Sequence, residues 1–527
     1  MSHCKSLLLM LLLWACFLNA SIAVGGEPLL AHPHSSKQSD ATNIGVKECA
    51  ACHSAPSPIS QFRGVTRFVR LVESKEWLER DKHAYAYQLV RIDKPKHESN
   101  ELSRRITTKL NYKDGDFERN CLTCHAGLNA NEDYSSREVK LDLEFGVRCE
   151  SCHGPGSEYT KREHHQQVSW RGLKPEEKSE LGMWDLTSPS TAAAVCLSCH
   201  LGNIAENRFV THDMYAAGHP VLPPFDLQVF LNAMPPHWQT IQKKSGFGNT
   251  LDTNDPHLEA KYISAHYDVA GTPTEIRAAI KGSYDKTRRS MIGGLVANDA
   301  GIDLIHQGAA RTETWGDYSN YNCMGCHQEI KKNSTTLRVE SRVPGRPFPA
   351  NWLTLDYPKI HASGQETRDI LKRELLASFN SVPFGDAQRI NQLRDRQRQS
   401  LEERFLDRRK MERQIMSKDD VLQWLLFLTE SRQDSMNDFW VARQTAWMVC
   451  VAIDELIEHG AIAANTLDTV DAMKKELQKM LRLELQIEQK VSVLESQSDI
   501  LETANRFDSA RCGVLVKALV QTAIETR

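Results

Sequence analysis

Long apolar runs are scarce in this chain of 527 residues. A bilayer-spanning helix needs about 20 consecutive apolar residues. After the first 17 residues none is found: 423–428 is too short, and Asp454 and Glu455 interrupt the run after Trp447. No membrane span is expected unless the leader stays attached. Excess charge is missing too. Lys and Arg total 65 against 68 Asp and Glu, a formal net charge of -3, and the sequence pI is about 6.7. Nucleic-acid binders usually carry a basic footprint, so no nucleic-acid partner is expected. Spare cysteine is also lacking. Of 14 cysteines, ten fall in one repeated motif, Cys4 and Cys16 lie in the leader, and only Cys450 and Cys512 remain. A disulfide framework is excluded. Those last two read equally well as a disulfide or as two small buried hydrophobes.

The repeated motif is C-x-x-C-H. Its copies are Cys49, Cys52 and His53; Cys121, Cys124 and His125; Cys149, Cys152 and His153; Cys196, Cys199 and His200; and Cys323, Cys326 and His327. Two thiols at this spacing add to the vinyl groups of one haem, and the next histidine ligates its iron. Zinc binding by paired C-x-x-C does not require that histidine. A thioredoxin-like redox pair accounts for one copy, not for five. The expected cofactors are five covalently attached haem c groups with their iron. C-type haem is attached outside the bacterial cytoplasm, and the N-terminus agrees. Lys5 precedes a leucine-rich run, and Ser21-Ile22-Ala23 fits a small-x-small cleavage site. A signal peptide over 1–23 and a periplasmic location follow. An uncleaved anchor helix and a lipidated Cys16 are the other readings of the leader.

Residues 24–46, with Pro28, Pro33 and several serines, read as a flexible lead-in where His32 and His34 are solvated. A pentahaem domain is expected over 47–362. Apolar spacing over 68–90 predicts one helix carrying Trp77 and His83. His83 is a distal-ligand candidate, set against a surface histidine on an amphipathic helix. Glu163-His164-His165 offers another, His164 or His165. His212 and His219, seven apart, would share one helix face, with Met214 as an alternative axial ligand between them. His237, beside Pro236 and Trp238, is a weaker candidate, and His361 follows the fifth motif. Residues 275–280 and 290–305 read as helical. His257, His266 and His306 in that stretch read as surface or core histidines.

From about residue 363 the motifs stop and Pro383 is the last proline. Helical spacing predicts a bundle over 363–527. It begins with a long helix capped by Asp386, followed by helices over 419–432, 435–459, 466–497 and 499–524. Arginines around 389–413 read as a solvated face balanced by Asp395, Glu402, Glu403 and Asp407. The sharper reading is a docking face for an acidic partner. The fold class is mostly α: a loop-rich multihaem cytochrome domain followed by an α-helical bundle. The bundle is a candidate for docking a partner or a second copy.

Gly146-Val147-Arg148-Cys149-Glu150-Ser151-Cys152-His153-Gly154-Pro155-Gly156 resembles the signature of the cytochrome c-554 family of secreted bacterial multihaem cytochromes. The tryptophan followed by Asp81-Lys82-His83-Ala84 is similar to that family's first-haem region. The stretches 212–220 and 318–327 look like larger relatives of the group. The resemblance spans roughly 47–361. It implies a helical, loop-rich fold around stacked haems with bis-histidine ligation at most irons, and it favours His83 as a ligand. The fifth motif departs from the type member's four. No C-x-x-C-K occurs, the motif of lysine-ligated nitrite reductases. Two functions stay open. One is an electron carrier serving redox partner proteins. The other is an oxidoreductase acting on a small nitrogen species at one five-coordinate haem.

Overall fold

The computed structural model describes residues 40–54, 71–92, 98–128, 142–165, 167–238, 256–311, 315–325, 327, 365–381, 385–430, 436–483 and 497–525. The leader over 1–23, His32, His34, Cys326 and His361 lie outside the described residues. Among the described residues, an isolated bridge between Asn203 and Arg208 is the β-structure present, and the fold is mostly α. No described helix is long and apolar enough to cross a membrane.

The N-terminal helices used below are α1 (Val46–His53), α2 (Glu73–Arg80), α3 (Glu98–Lys109), α4 (Pro189–His200), α5 (His212–Ala217), α6 (Leu227–Ala233), α7 (Pro256–His266), α8 (Pro273–Lys281) and α9 (Asp285–Ala309). One helix expected over 68–90 is broken within the described part. It stops at Arg80, Asp81 adopts an extended backbone, and a 3-10 turn Lys82–Tyr85 precedes Ala86–Val90. The cause is local. The Asp81 side chain accepts from the His83 backbone N–H, capping the new turn.

The 25-residue α9 is the axis of the structure and is buried along nearly its whole length. It packs against α4 and α6 on one side. A Cβ at Gly293 would lie 2.6 Å from the Leu227 Cβ, so glycine permits the close approach of α6. At its start, Glu455 accepts from the backbone N–H groups of Lys286 and Thr287. A carboxylate from a distant helix thus satisfies two of the orphan donors of this N-terminus.

The C-terminal helices are α10 (Gln365–Phe379), α11 (Ala387–Gln392), α12 (Arg394–Arg413), α13 (Lys418–Glu430), α14 (Phe439–Glu458), α15 (Leu467–Leu481), α16 (Gln497–Asn505) and α17 (Ser509–Ile524). Asp386 caps α11, as its sequence position suggests, but the chain bends at Leu393 before α12. The helix expected over 499–524 is two, because Asp508 caps a new start. Tyr284, Met291, Leu295 and Met324 share one apolar cluster with Trp424, Trp447, Leu477 and Leu519. The helices after residue 363 and the region before it therefore bury a common core. Cys512 lies fully buried in that cluster, Cys450 packs against it, and both are free thiols.

The arginine-rich α12 is not a solvated face along its whole length. Arg404 and Arg408 are buried, and both pair with Asp299 of α9. Arg409 pairs with Glu176 and Glu412, and Arg413 with Asp268. Arginines four apart share a helix face, and here that face is turned inward.

Candidate functional site

Each motif sits on a tight helical turn. The first closes α1, and the fourth closes α4. The second lies on a π turn, Glu118–Leu122, running into Thr123–His125. The third forms Glu150–His153, and the fifth begins a 3-10 turn, Cys323–Gly325. Residues three and four apart share a helix face. In the first four motifs both thiols and the imidazole therefore point the same way. Among the described residues these cysteines form no disulfide.

Buried polar contacts fix the motifs to one another. Glu150, inside the third motif, accepts from the backbone N–H groups of Ile44, Gly45 and Gly156 at 2.8–2.9 Å. It ties that motif to the chain just ahead of the first. Gly146 has φ +61°, and a Cβ there would lie 2.3 Å from the His83 carbonyl oxygen. Val147 N–H donates to that same oxygen at 2.9 Å. The backbone of His83 is thereby docked beside the third motif.

The motif histidines meet a second set of imidazoles. His53 and His165 have ring centroids 6.1 Å apart. For His153 and His237 the separation is 6.4 Å, for His200 and His83 6.1 Å, and for His327 and His212 6.5 Å. The interplanar angles range from 30° to 85°. Metal–imidazole bonds of about 2.0–2.1 Å plus the ring radius put two ligands on opposite sides of one metal roughly 6.3 Å apart. The residues present fit the group their motifs imply. The remaining motif histidine, His125, lies near enough to His219 to feel its charge. Burial first, and then the charge of His219, pushes His125 down to about 4.

Burial, then His237 and His53, holds His153 at about 4. Burial, then His83 and His125, brings His200 to about 3. These imidazoles stay neutral at physiological pH, the form that ligates a metal. Their orientation is set from behind. His53 Nδ1 lies 2.9 Å from Glu73 Oε2, and His83 Nδ1 lies 3.0 Å from Asp81 Oδ1. His219 Nδ1 lies 2.8 Å from the Pro220 carbonyl oxygen. Carboxylate and carbonyl oxygens only accept, so Nδ1 carries the proton in each case.

Of the adjacent pair His164 and His165, it is His165 that presents its ring to a motif histidine. His212 rather than Met214 faces His327, and Met214 is buried in α5. The sequence ranked His237 below the others, yet it stands against His153 at the same spacing as the rest. Its position after a proline-rich turn carries no helical period to point to it. His266 spends Nδ1 on the Tyr262 carbonyl and Nε2 on Asp185, a core histidine. His306 is fully buried on α9.

The motifs touch in an order different from their order in the chain. The thiols of Cys49 and Cys149 are hydrogen-bonded, which raises Cys49 and lowers Cys149. Cys152 is pushed up by burial, then by Cys196 and Cys199. Cys199 in turn is hydrogen-bonded to Cys124 and is lowered to about 6. The helix α5 joins the remaining motif: His212 at its start faces His327, and Tyr215 contacts His219.

Thiol pairs and imidazoles on repeated helical turns, each answered by a second imidazole, define a c-type cytochrome, a protein of electron transfer. Residues 48–154, a segment that holds the first three motifs, match the family described as cytochrome c554 and c-prime. The fourth and fifth motifs and the C-terminal helices lie beyond the matched residues. No curated protein and no solved structure matches the chain.

Proposed function

We propose that this protein is an exported, periplasmic electron-transfer cytochrome. Its five motifs each hold one haem c, and every iron is ligated by two histidines. The axial pairs are His53 with His165, His125 with His219, His153 with His237, His200 with His83, and His327 with His212. Each bound haem supplies a one-electron ferric–ferrous couple whose potential is set by its axial ligands and their surroundings. The observation that carries the reading is the second imidazole standing against each motif histidine. A sixth position filled by the chain leaves no place for a substrate. The protein then conducts electrons between redox partner proteins rather than performing chemistry on a small molecule.

The contacts between motifs, among them Ser151 of the third donating to the Gly127 carbonyl beside the second, support a path through the molecule.

Electron paramagnetic resonance of the oxidised holoprotein tests this. Five low-spin signals and no high-spin iron are expected. A high-spin signal abolished by nitrite, hydroxylamine or nitric oxide, with turnover of that compound, would move the protein to the oxidoreductases.

A further inference from the structure

Trp77 lies between histidines of two different axial pairs. It is 7% exposed. One face stacks on His83, with centroids 5.8 Å apart and planes within 9°. Its ring also meets His237 edge to face, at 5.4 Å and 75°. His83 faces His200 of the fourth motif, and His237 faces His153 of the third. A single indole therefore packs against the second imidazole of two sites at once. Both geometries are the ones aromatic rings prefer.

The backbone explains how Trp77 and His83 reach one another. In an unbroken helix, residues six apart point about 120° away from each other. The break at Asp81 removes that constraint and swings His83 back over Trp77. Asp81 is 1% exposed. One of its oxygens accepts from both the backbone N–H and Nδ1 of His83, at 2.9 and 3.0 Å. The residue that breaks the helix also fixes the ring it delivers.

We propose that Trp77 is a positioning residue shared by two haem sites, setting the ring planes of His83 and His237 together, with Asp81 holding His83 from behind. This rests on the axial pairs proposed above. The orientation of an axial imidazole plane splits the iron d orbitals and so fixes the g values of a low-spin haem. A carboxylate behind a ligating imidazole makes it a stronger donor. That favours the ferric state and lowers the potential of the site.

The test uses the full-length holoprotein. His83→Ala and His237→Ala each convert one low-spin signal to high spin, and a different one, which identifies the two sites. If neither does, the axial pairs fail, whatever Trp77 does. With those signals known, Trp77→Leu is expected to shift both and leave the other three and the haem content unchanged. Trp77→Phe keeps a smaller ring and shifts the same two by less; it decides the matter where Trp77→Leu does not mature. An unchanged spectrum, or a change in only one of the two, overturns the shared role. Asp81→Asn is expected to raise the midpoint potential of the His83 site alone, with its iron still low-spin. An unchanged potential removes Asp81 from the proposal.

Discussion

Asp299 holds two buried cations, and its removal is the sharpest test of how the C-terminal helices are attached. Its Oδ1 lies 3.1 Å from Arg404 Nη1, and its Oδ2 contacts Arg408 Nη1. All three side chains are 7% exposed or less. Solvent screening is therefore weak, and the surface-pair discount does not apply. Asp299→Ala removes the carboxylate that both guanidinium groups on α12 share. Breaking a buried pair in this way costs about 3–5 kcal/mol. Since about 1.4 kcal/mol is a factor of ten, undocking of α12 should become more favourable by a factor of roughly 10² to 10³. Hydrogen exchange of peptides from 394–413 in the holoprotein reads this directly, as faster exchange across α12. Asp299→Leu combined with Arg404→Leu and Arg408→Met removes the charges together and should recover most of the protection. Exchange in Asp299→Ala within a few-fold of wild type would refute the reasoning. A triple variant no better than the single would show that packing, not charge, holds the helix.

Three further outcomes are expected. His165→Ala should turn one of five low-spin haems high-spin, while His164→Ala should leave all five; the reverse result would reassign the first axial pair. Intact-protein mass should exceed that of the mature chain by five haems, and a mass short by one with free thiols would remove that motif. His306 is fully buried, and among the described residues neither ring nitrogen has a hydrogen-bond partner; burial, then Arg394, pushes it down to about 3. The unfolded chain takes the proton first, near pH 6.5. The neutral ring thus stabilises the fold above that pH, and this is lost as pH falls toward the folded value, by up to about 1.4 kcal/mol per unit. Denaturation of His306→Leu should accordingly depend less on pH between about 4 and 6.5, and an unchanged slope would contradict the burial argument.

Much of the site was legible because its chemistry is local. A C-x-x-C-H spacing places two thiols and an imidazole on one helical turn whatever surrounds it. The distal histidines are a different matter. His237 follows a turn and has no periodic pattern around it. His164 and His165 are neighbours, and nothing local separates them. The helix expected over 68–90 failed at Asp81 because a short acidic side chain can bond its own backbone instead of continuing the helix. That failure falls at His83, whose backbone N–H caps the break.

The sequence by itself determined where the C-x-x-C-H motifs lie, the helical character of the chain, and that histidines beyond those motifs were available. Those properties depend on residues a few positions apart. The tertiary structure decided which further imidazoles stand beside His53, His153, His200 and His327. It also decided that Arg404 and Arg408 turn inward to Asp299, more than a hundred residues earlier in the chain. Such partners are chosen by burial. A side chain removed from water must find its complement wherever the fold has brought one, and sequence distance does not enter that choice.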